Sequence, residues 1–165
     1  MFQIKTLSKE AIPKALERVE RYRLLNEPAV AVSICQDILQ VEPGHQQALV
    51  MLILALTDQF SQNASVGMNQ VLELVPRLQG DYERAYYTGI IHERQARARL
   101  NRSYPGSEFD AHDLLREAMT WFEKAETLRA AGDEDAVLRW NTCARIVMER
   151  NLKPRPRDDS RPSLE

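Results

Sequence analysis

The chain has 165 residues, with 22 Lys and Arg against 24 Asp and Glu and a formal net charge of −2. This length suits a single domain that can bury a continuous core without disulfides or metal. The near balance of charge removes any global pull toward nucleic acid or an anionic membrane. With 44% hydrophobic and 28% charged residues and only six glycines, the composition is that of an ordinary globular protein and favours helices over strands.

The N-terminal MFQIKTLSKE contains no apolar stretch of signal-peptide length. The longest apolar run, residues 48–56, is less than half the roughly twenty residues a membrane-spanning helix needs. Cys35 and Cys143 are too few and too far apart to suggest a disulfide framework, and both fall inside apolar helical patterns. A reducing, cytoplasmic setting with no membrane association is the expectation.

In chain order, a first helix is expected from residue 8 or 11 to 25, with Pro13 in its first turn and Ala15, Leu16, Val19 and Tyr22 at helical spacing. Asn26 ends it and can cap a second helix, which carries Val30, Ile34, Ile38 and Val41 and stops at Glu42-Pro43-Gly44. The third helix, over 45–60, is apolar nearly all round and should be enclosed on both sides. A fourth is expected over 64–75, ended by Pro76, and a fifth from Asp81 to Leu100 or beyond. After the Tyr104-Pro105-Gly106-Ser107 break, a sixth helix carries Leu114, Leu115, Met119, Phe122, Ala125 and Leu128. Gly132 marks the next turn, and a seventh helix holds Val137, Trp140, Ala144 and Val147 on one side. The division expected is a lead-in over 1–9, a helical domain over 10–152 and a disordered Pro- and Arg-rich tail over 153–165.

Pro43 and Pro76 each follow a helix pair and lie 33 residues apart, a spacing that suggests a repeat. Tyr22, Ala31 and Pro43 sit at the tyrosine, small-residue and closing-proline positions of a first unit. Leu49, Leu52, Ile53, Leu56, Ala64, Met68, Val71 and Pro76 fit a second unit loosely. In a third, interrupted unit Gly89 stands at the glycine of the first helix, and Ala118, Phe122 and Ala125 form the second-helix signature. On these residues the chain resembles the tetratricopeptide-repeat family, with degenerate repeats over about 10–150. The resemblance implies an all-α, right-handed α–α superhelix of about three stacked helix hairpins closed by a C-terminal capping helix. Trp140 on that last helix is expected to be a main core contributor.

The same resemblance implies a non-catalytic protein–protein interaction module, an adaptor or scaffold that holds a partner's peptide or helix in a concave groove. Carried onto the matching helices, the groove would comprise Leu16, Glu20 and Arg23, then Val50, Leu54 and Thr57, then Tyr86, Ile90, Glu93 and Arg94, and finally Leu138, Thr142 and Arg145. The alternative for Leu54 and Ile90 is burial inside a short stack that closes up. Leu16 and Glu20 stand where chaperone-binding relatives carry their carboxylate clamp, so that clamp is absent.

Motifs of chemistry are scarce. His45, His92 and His112 are scattered, and no metal-ligand or nucleophile spacing occurs. The densest candidate, Asp110-Ala111-His112-Asp113, lies where a helix begins, a setting in which acidic residues serve the helix dipole. His92 and Glu93 are sequential on a helix and so do not face each other. No enzyme, cofactor or metal is expected. Arg84, Arg94, Arg97, Arg99 and Arg102 make the fifth helix the most basic stretch. A solvated face, a site for an acidic peptide, and nucleic-acid accessory binding through 84–102 are its three readings. Nucleic acid is the least favoured partner; a protein or peptide leads, and self-association into a homo-oligomer is the alternative.

Overall fold

The computed structural model describes residues 1–157. Seven α-helices follow in order: α1 Ile12–Leu24, α2 Pro28–Val41, α3 Gln46–Thr57, α4 Met68–Leu72, α5 Asp81–Arg102, α6 Ser107–Leu128 and α7 Asp135–Glu149. No strand occurs among the described residues, so the fold is all-α as the composition implied. Helices adjacent in sequence pack against each other, and α3 additionally meets both α1 and α5.

Helix α1 buries Ile12, Leu16 and Val19, spaced four and three residues apart along one stripe, with Pro13 in the first turn. Asn26 does not cap α2 as expected. It sits at φ 59°, and this left-handed kink lets the Glu27 N–H donate back to the Tyr22 carbonyl at 2.8 Å. Asn tolerates that conformation better than other residues with a Cβ. Helix α3 buries Leu49, Leu52, Ile53 and Leu56 around most of its circumference, and His45 caps it by accepting from the Ala48 N–H through Nδ1 at 3.1 Å.

The fourth helix is much shorter than the sequence suggested. Asn63 Oδ1 accepts from both the backbone N–H (3.0 Å) and the hydroxyl (2.6 Å) of Ser65. This local turn competes with helix over 61–67. Pro76 lies inside a single 3₁₀ turn, Val75–Arg77, rather than terminating a full helix.

Two hydrophobic clusters share α5. Ile91 and Ala98 face the cluster built by α1–α4, while Ala85, Ile90 and Ala96 face the one built with α6 and α7. The α5–α6 hairpin is the closest pairing. A Cβ placed on Gly89 would come within 2.5 Å of the Phe122 ring, and Phe122, Ala118 and Ala125 are fully buried. Trp140, expected to be a core residue, is only half-buried: it packs against the second cluster while its indole N–H donates to Glu123 Oε1 at 2.9 Å near the surface. Beyond α7, Leu152 is buried, and Arg155 of the expected tail pairs with Asp110 at 2.7 Å and stacks over Phe109. Residues 158–165 of that tail lie outside the described residues.

Candidate functional site

Helices α1 and α3 run in the same direction, since Ile12 and Leu16 share a pocket with His45 and Gln47 while Arg23 shares another with Asp58. The seam between them is therefore a long furrow, and it continues between the starts of α3 and α5. Three open pockets lie along it, of about 310, 370 and 360 Å³. Glu20 borders the first two and Gln47 the last two, so they form one trough. The floor of the second and third pockets is apolar, from Leu16 (8% exposed), Ile12, Val50 and Leu78, whereas Arg23, Asn26 and Asp58 line the first; the walls carry the exposed carboxylates of Glu17, Glu20 and Glu83.

The α5 end is shaped by polar ties between turns. Gln46 accepts from the Gln79 N–H at 2.9 Å and donates to the Arg77 carbonyl at 3.3 Å, and Arg77 donates to the Pro43 carbonyl at 2.8 Å. The loop before α5 is thereby held against the α2–α3 turn and supplies Leu78, Gln79 and Gly80 to the trough.

Beside the trough an ionic ladder crosses the alternate helices. Asp58, at the end of α3, accepts from Arg23 of α1 at 2.7 and 3.3 Å and from Arg94 of α5 at 2.6 Å. Arg94 also donates to the Thr57 hydroxyl at 2.8 Å and the Leu54 carbonyl at 3.0 Å. Burial lowers the pKa of Arg94, an effect the Asp58 charge opposes. One residue earlier, Glu93 is 0% exposed and lies between Arg97 at 3.0 Å and Arg139 of α7 at 3.4 Å. The Arg139 approach is an ion pair without hydrogen-bond alignment, so Glu93 Oε2 has no hydrogen-bond partner among the described residues.

Four of the expected groove residues, Leu16, Glu20, Arg23 and Val50, lie along the trough. The others do not. Ile90 is 1% exposed in the second cluster, where Leu54 and Tyr86 pack against it, so the space between α3 and α7 is filled rather than open. Tyr86 is held in an aromatic group, stacked on Tyr82 at 5.7 Å and tilted onto Phe122 at 5.8 Å. Thr57 is buried, and Arg94 and Glu93 are consumed by the ladder. Leu138 (59% exposed) and Arg145 are surface residues of α7, and Thr142 donates to the Leu138 carbonyl, all away from the trough. The residues that sequence reasoning missed include Glu17, one turn from Glu20, and Gln47, one turn from Val50. Helical spacing could have found both. Leu78, Gln79 and Gly80 come from a turn whose position depends on contacts some 30 residues distant, and no local signal marks them.

The five arginines of α5 are each engaged within the fold. Arg84 holds Asp81 and the Leu78 carbonyl, Arg94 holds Asp58, Arg97 holds Glu93, Arg99 holds the Tyr104 hydroxyl and Arg102 holds the Phe60 carbonyl. Asp110 is likewise taken, by Tyr104 at 2.6 Å and Arg155 at 2.7 Å, which lower its pKa. Among the described residues no three His, Cys, Asp or Glu side chains converge as metal ligands, and no helix is long and apolar enough to cross a membrane. Cys35 and Cys143 are buried and unpaired, and burial pushes both thiols up to about 12. No family model matches this chain, and no curated protein and no solved structure matches it.

Proposed function

We propose that the protein is a non-catalytic interaction module whose α1–α3–α5 trough holds a segment of a partner protein. The observation that carries this reading is the trough itself: two adjoining pockets with apolar floors, one between α1 and α3 and one between α3 and α5, rimmed by Glu17, Glu20 and Glu83. Such a surface suits an extended or helical segment that places aliphatic side chains on the floor and Lys or Arg beside the rim. The charge preference is opposite to that expected from Arg84, Arg94 and Arg97 of α5, because each of those is paired with a carboxylate of the fold. The repeat register favours a curved stack of hairpins as the setting, and the buried thiols suit a reducing compartment such as the cytoplasm.

Affinity capture from native lysate tests the reading. A partner retained by the wild-type protein should be lost from Val50→Arg and Glu20→Arg, both at partly or fully exposed positions where folding should survive. A salt gradient should weaken its retention. A partner that stays bound to both folded variants would refute the trough assignment.

Self-association is the second reading, favoured by an apolar tip at the α1–α2 turn where Leu24 is 82% and Leu25 59% exposed, with Val30 beside them. Light scattering over a concentration range decides it: a monomer throughout removes it, and a dimer that Leu24→Asp dissolves supports it.

A further inference from the structure

The shortness of α4 has a structural consequence on the opposite flank of α5. The C-terminal half of α5 there lacks a full covering helix. A half-open notch of about 310 Å³ remains, walled by Phe60, Val66, Met68 and Leu114 and faced by Gln95, Arg99 and Arg102. Arg99 and Arg102 differ from the other three arginines of α5. Arg23, Arg84, Arg94, Arg97, Arg129, Arg139 and Arg155 all have carboxylate partners, whereas among the described residues neither Arg99 nor Arg102 has one.

Each guanidinium has five N–H donors. Arg99 donates to the Tyr104 hydroxyl at 3.2 Å and lies over the Tyr104 ring, and among the described residues its enclosed Nε has no hydrogen-bond partner. Arg102 donates to the Phe60 carbonyl at 2.7 Å. Asp110 is one hydroxyl away from Arg99, but its oxygens are held by Tyr104 and Arg155. Two positive charges with spare donors therefore stand at the mouth of a hollow of mixed lining, in which Asn69 and Gln95 lie beside the apolar Phe60, Val66, Met68 and Leu114. A buried glutamine lies beside them, and no hydrogen bond among the described residues engages its carboxamide.

We propose that this notch is a binding site for an organic carboxylate: an anionic head held by Arg99 and Arg102 and an apolar body seated on Phe60, Val66, Met68 and Leu114. Arg forks match carboxylate geometry, and the volume lies at the small end of ligand pockets. The site is separate from the trough, and its test does not depend on the trough reading.

Titration of the ¹⁵N-labelled protein with hydrocinnamate, with hydrocinnamyl alcohol as the neutral counterpart, tests the proposal. Hydrocinnamate should shift the Arg99 Nε–H and Gln95 side-chain amide resonances saturably, and the alcohol should bind at least about tenfold more weakly, as expected for a charge-assisted contact. Among the described residues the side chain of Arg99 hydrogen-bonds only to a tyrosine hydroxyl, so Arg99→Gln should lose the response while keeping its melting temperature. A capped Leu-Glu-Leu peptide forms a further arm. Equal binding by that peptide identifies a polypeptide carboxylate as the source, and weaker binding identifies a free acid. No saturation by about 10 mM hydrocinnamate, equal binding of the alcohol, or full binding by folded Arg99→Gln would each overturn the proposal.

Discussion

Gly89→Ala is the sharpest perturbation of the scaffold. In an open helix this change would stabilise by about 0.5–1 kcal/mol, because glycine loses more backbone freedom on folding than alanine. Here the added Cβ would stand 2.5, 2.8 and 2.9 Å from three carbons of the Phe122 ring. Ordinary carbon contacts lie at about 3.5–4.0 Å. Phe122 is completely buried, with Ala118 and Ala125 on its own helix equally enclosed, so the ring has no free side into which to swing. Overpacking of this kind costs about 1–3 kcal/mol. The propensity gain offsets part of that, leaving a net loss of about 1–2 kcal/mol. For a chain of this size it should lower the melting temperature by about 2–8 °C. Urea unfolding of Gly89→Ala, Phe122→Leu and the double variant gives the coupling directly. Gly89→Ala should be less damaging when Phe122 is already Leu, with an interaction energy of about 1 kcal/mol or more. A Gly89→Ala protein more stable than wild type would refute the close approach of α5 and α6.

Further outcomes follow from the same geometry. Asp58→Ala leaves Arg23 and Arg94 without their shared carboxylate, so the urea midpoint should fall by the equivalent of about 1–3 kcal/mol. An unchanged midpoint would mean that the ladder adds nothing to stability. Phe122→Ala should cost about 3–5 kcal/mol, whereas the half-buried Trp140→Ala should cost about 1–2 kcal/mol by lost area; equal losses would contradict the observed burial. The buried thiols should resist alkylation at neutral pH until the protein is unfolded. Their folded pKa of about 12 lies above the ordinary 9.0, so the stability they contribute is full below pH 9 and declines as pH rises toward 12. At pH 10 the loss should be about 1–2 kcal/mol per thiol. A Cys35→Ala variant with the same alkaline slope as wild type would contradict this.

Local signals in the sequence sufficed for most of the helices. Pro43-Gly44 and the Tyr104 to Ser107 break mark true ends, and of the residues at helical spacing in the first helix, Leu16 and Val19 lie on its buried stripe. The failures came where short-range polar chemistry or distant packing prevailed. Asn63 trades helix for a side-chain turn, which shortens α4. The repeat resemblance places Arg94 in the groove, but a lone sequence does not show Asp58, 36 residues earlier in the chain, which consumes its charge. Ile90 and Ile91 are consecutive and equally apolar, yet they serve different cores, and only the placement of α6 and α7 decides which faces which. Part of the trough was legible because Leu16, Glu20, Arg23 and Val50 lie on regular helices. The part made by residues 78–80 was not, because the turn that carries it is positioned by hydrogen bonds from Gln46.

The central claim is that the trough of α1, α3 and α5 receives a basic, apolar segment of another protein. It is tested most directly by selecting peptides from a random display library on the full chain and mapping one by backbone amide shift changes. The selected peptides should be rich in Lys or Arg and aliphatic residues, and the shifts should centre on Leu16, Glu20, Gln47 and Val50 and vanish in Val50→Arg. Shifts centred on another face, or peptides that bind Val50→Arg as well as wild type, would contradict it.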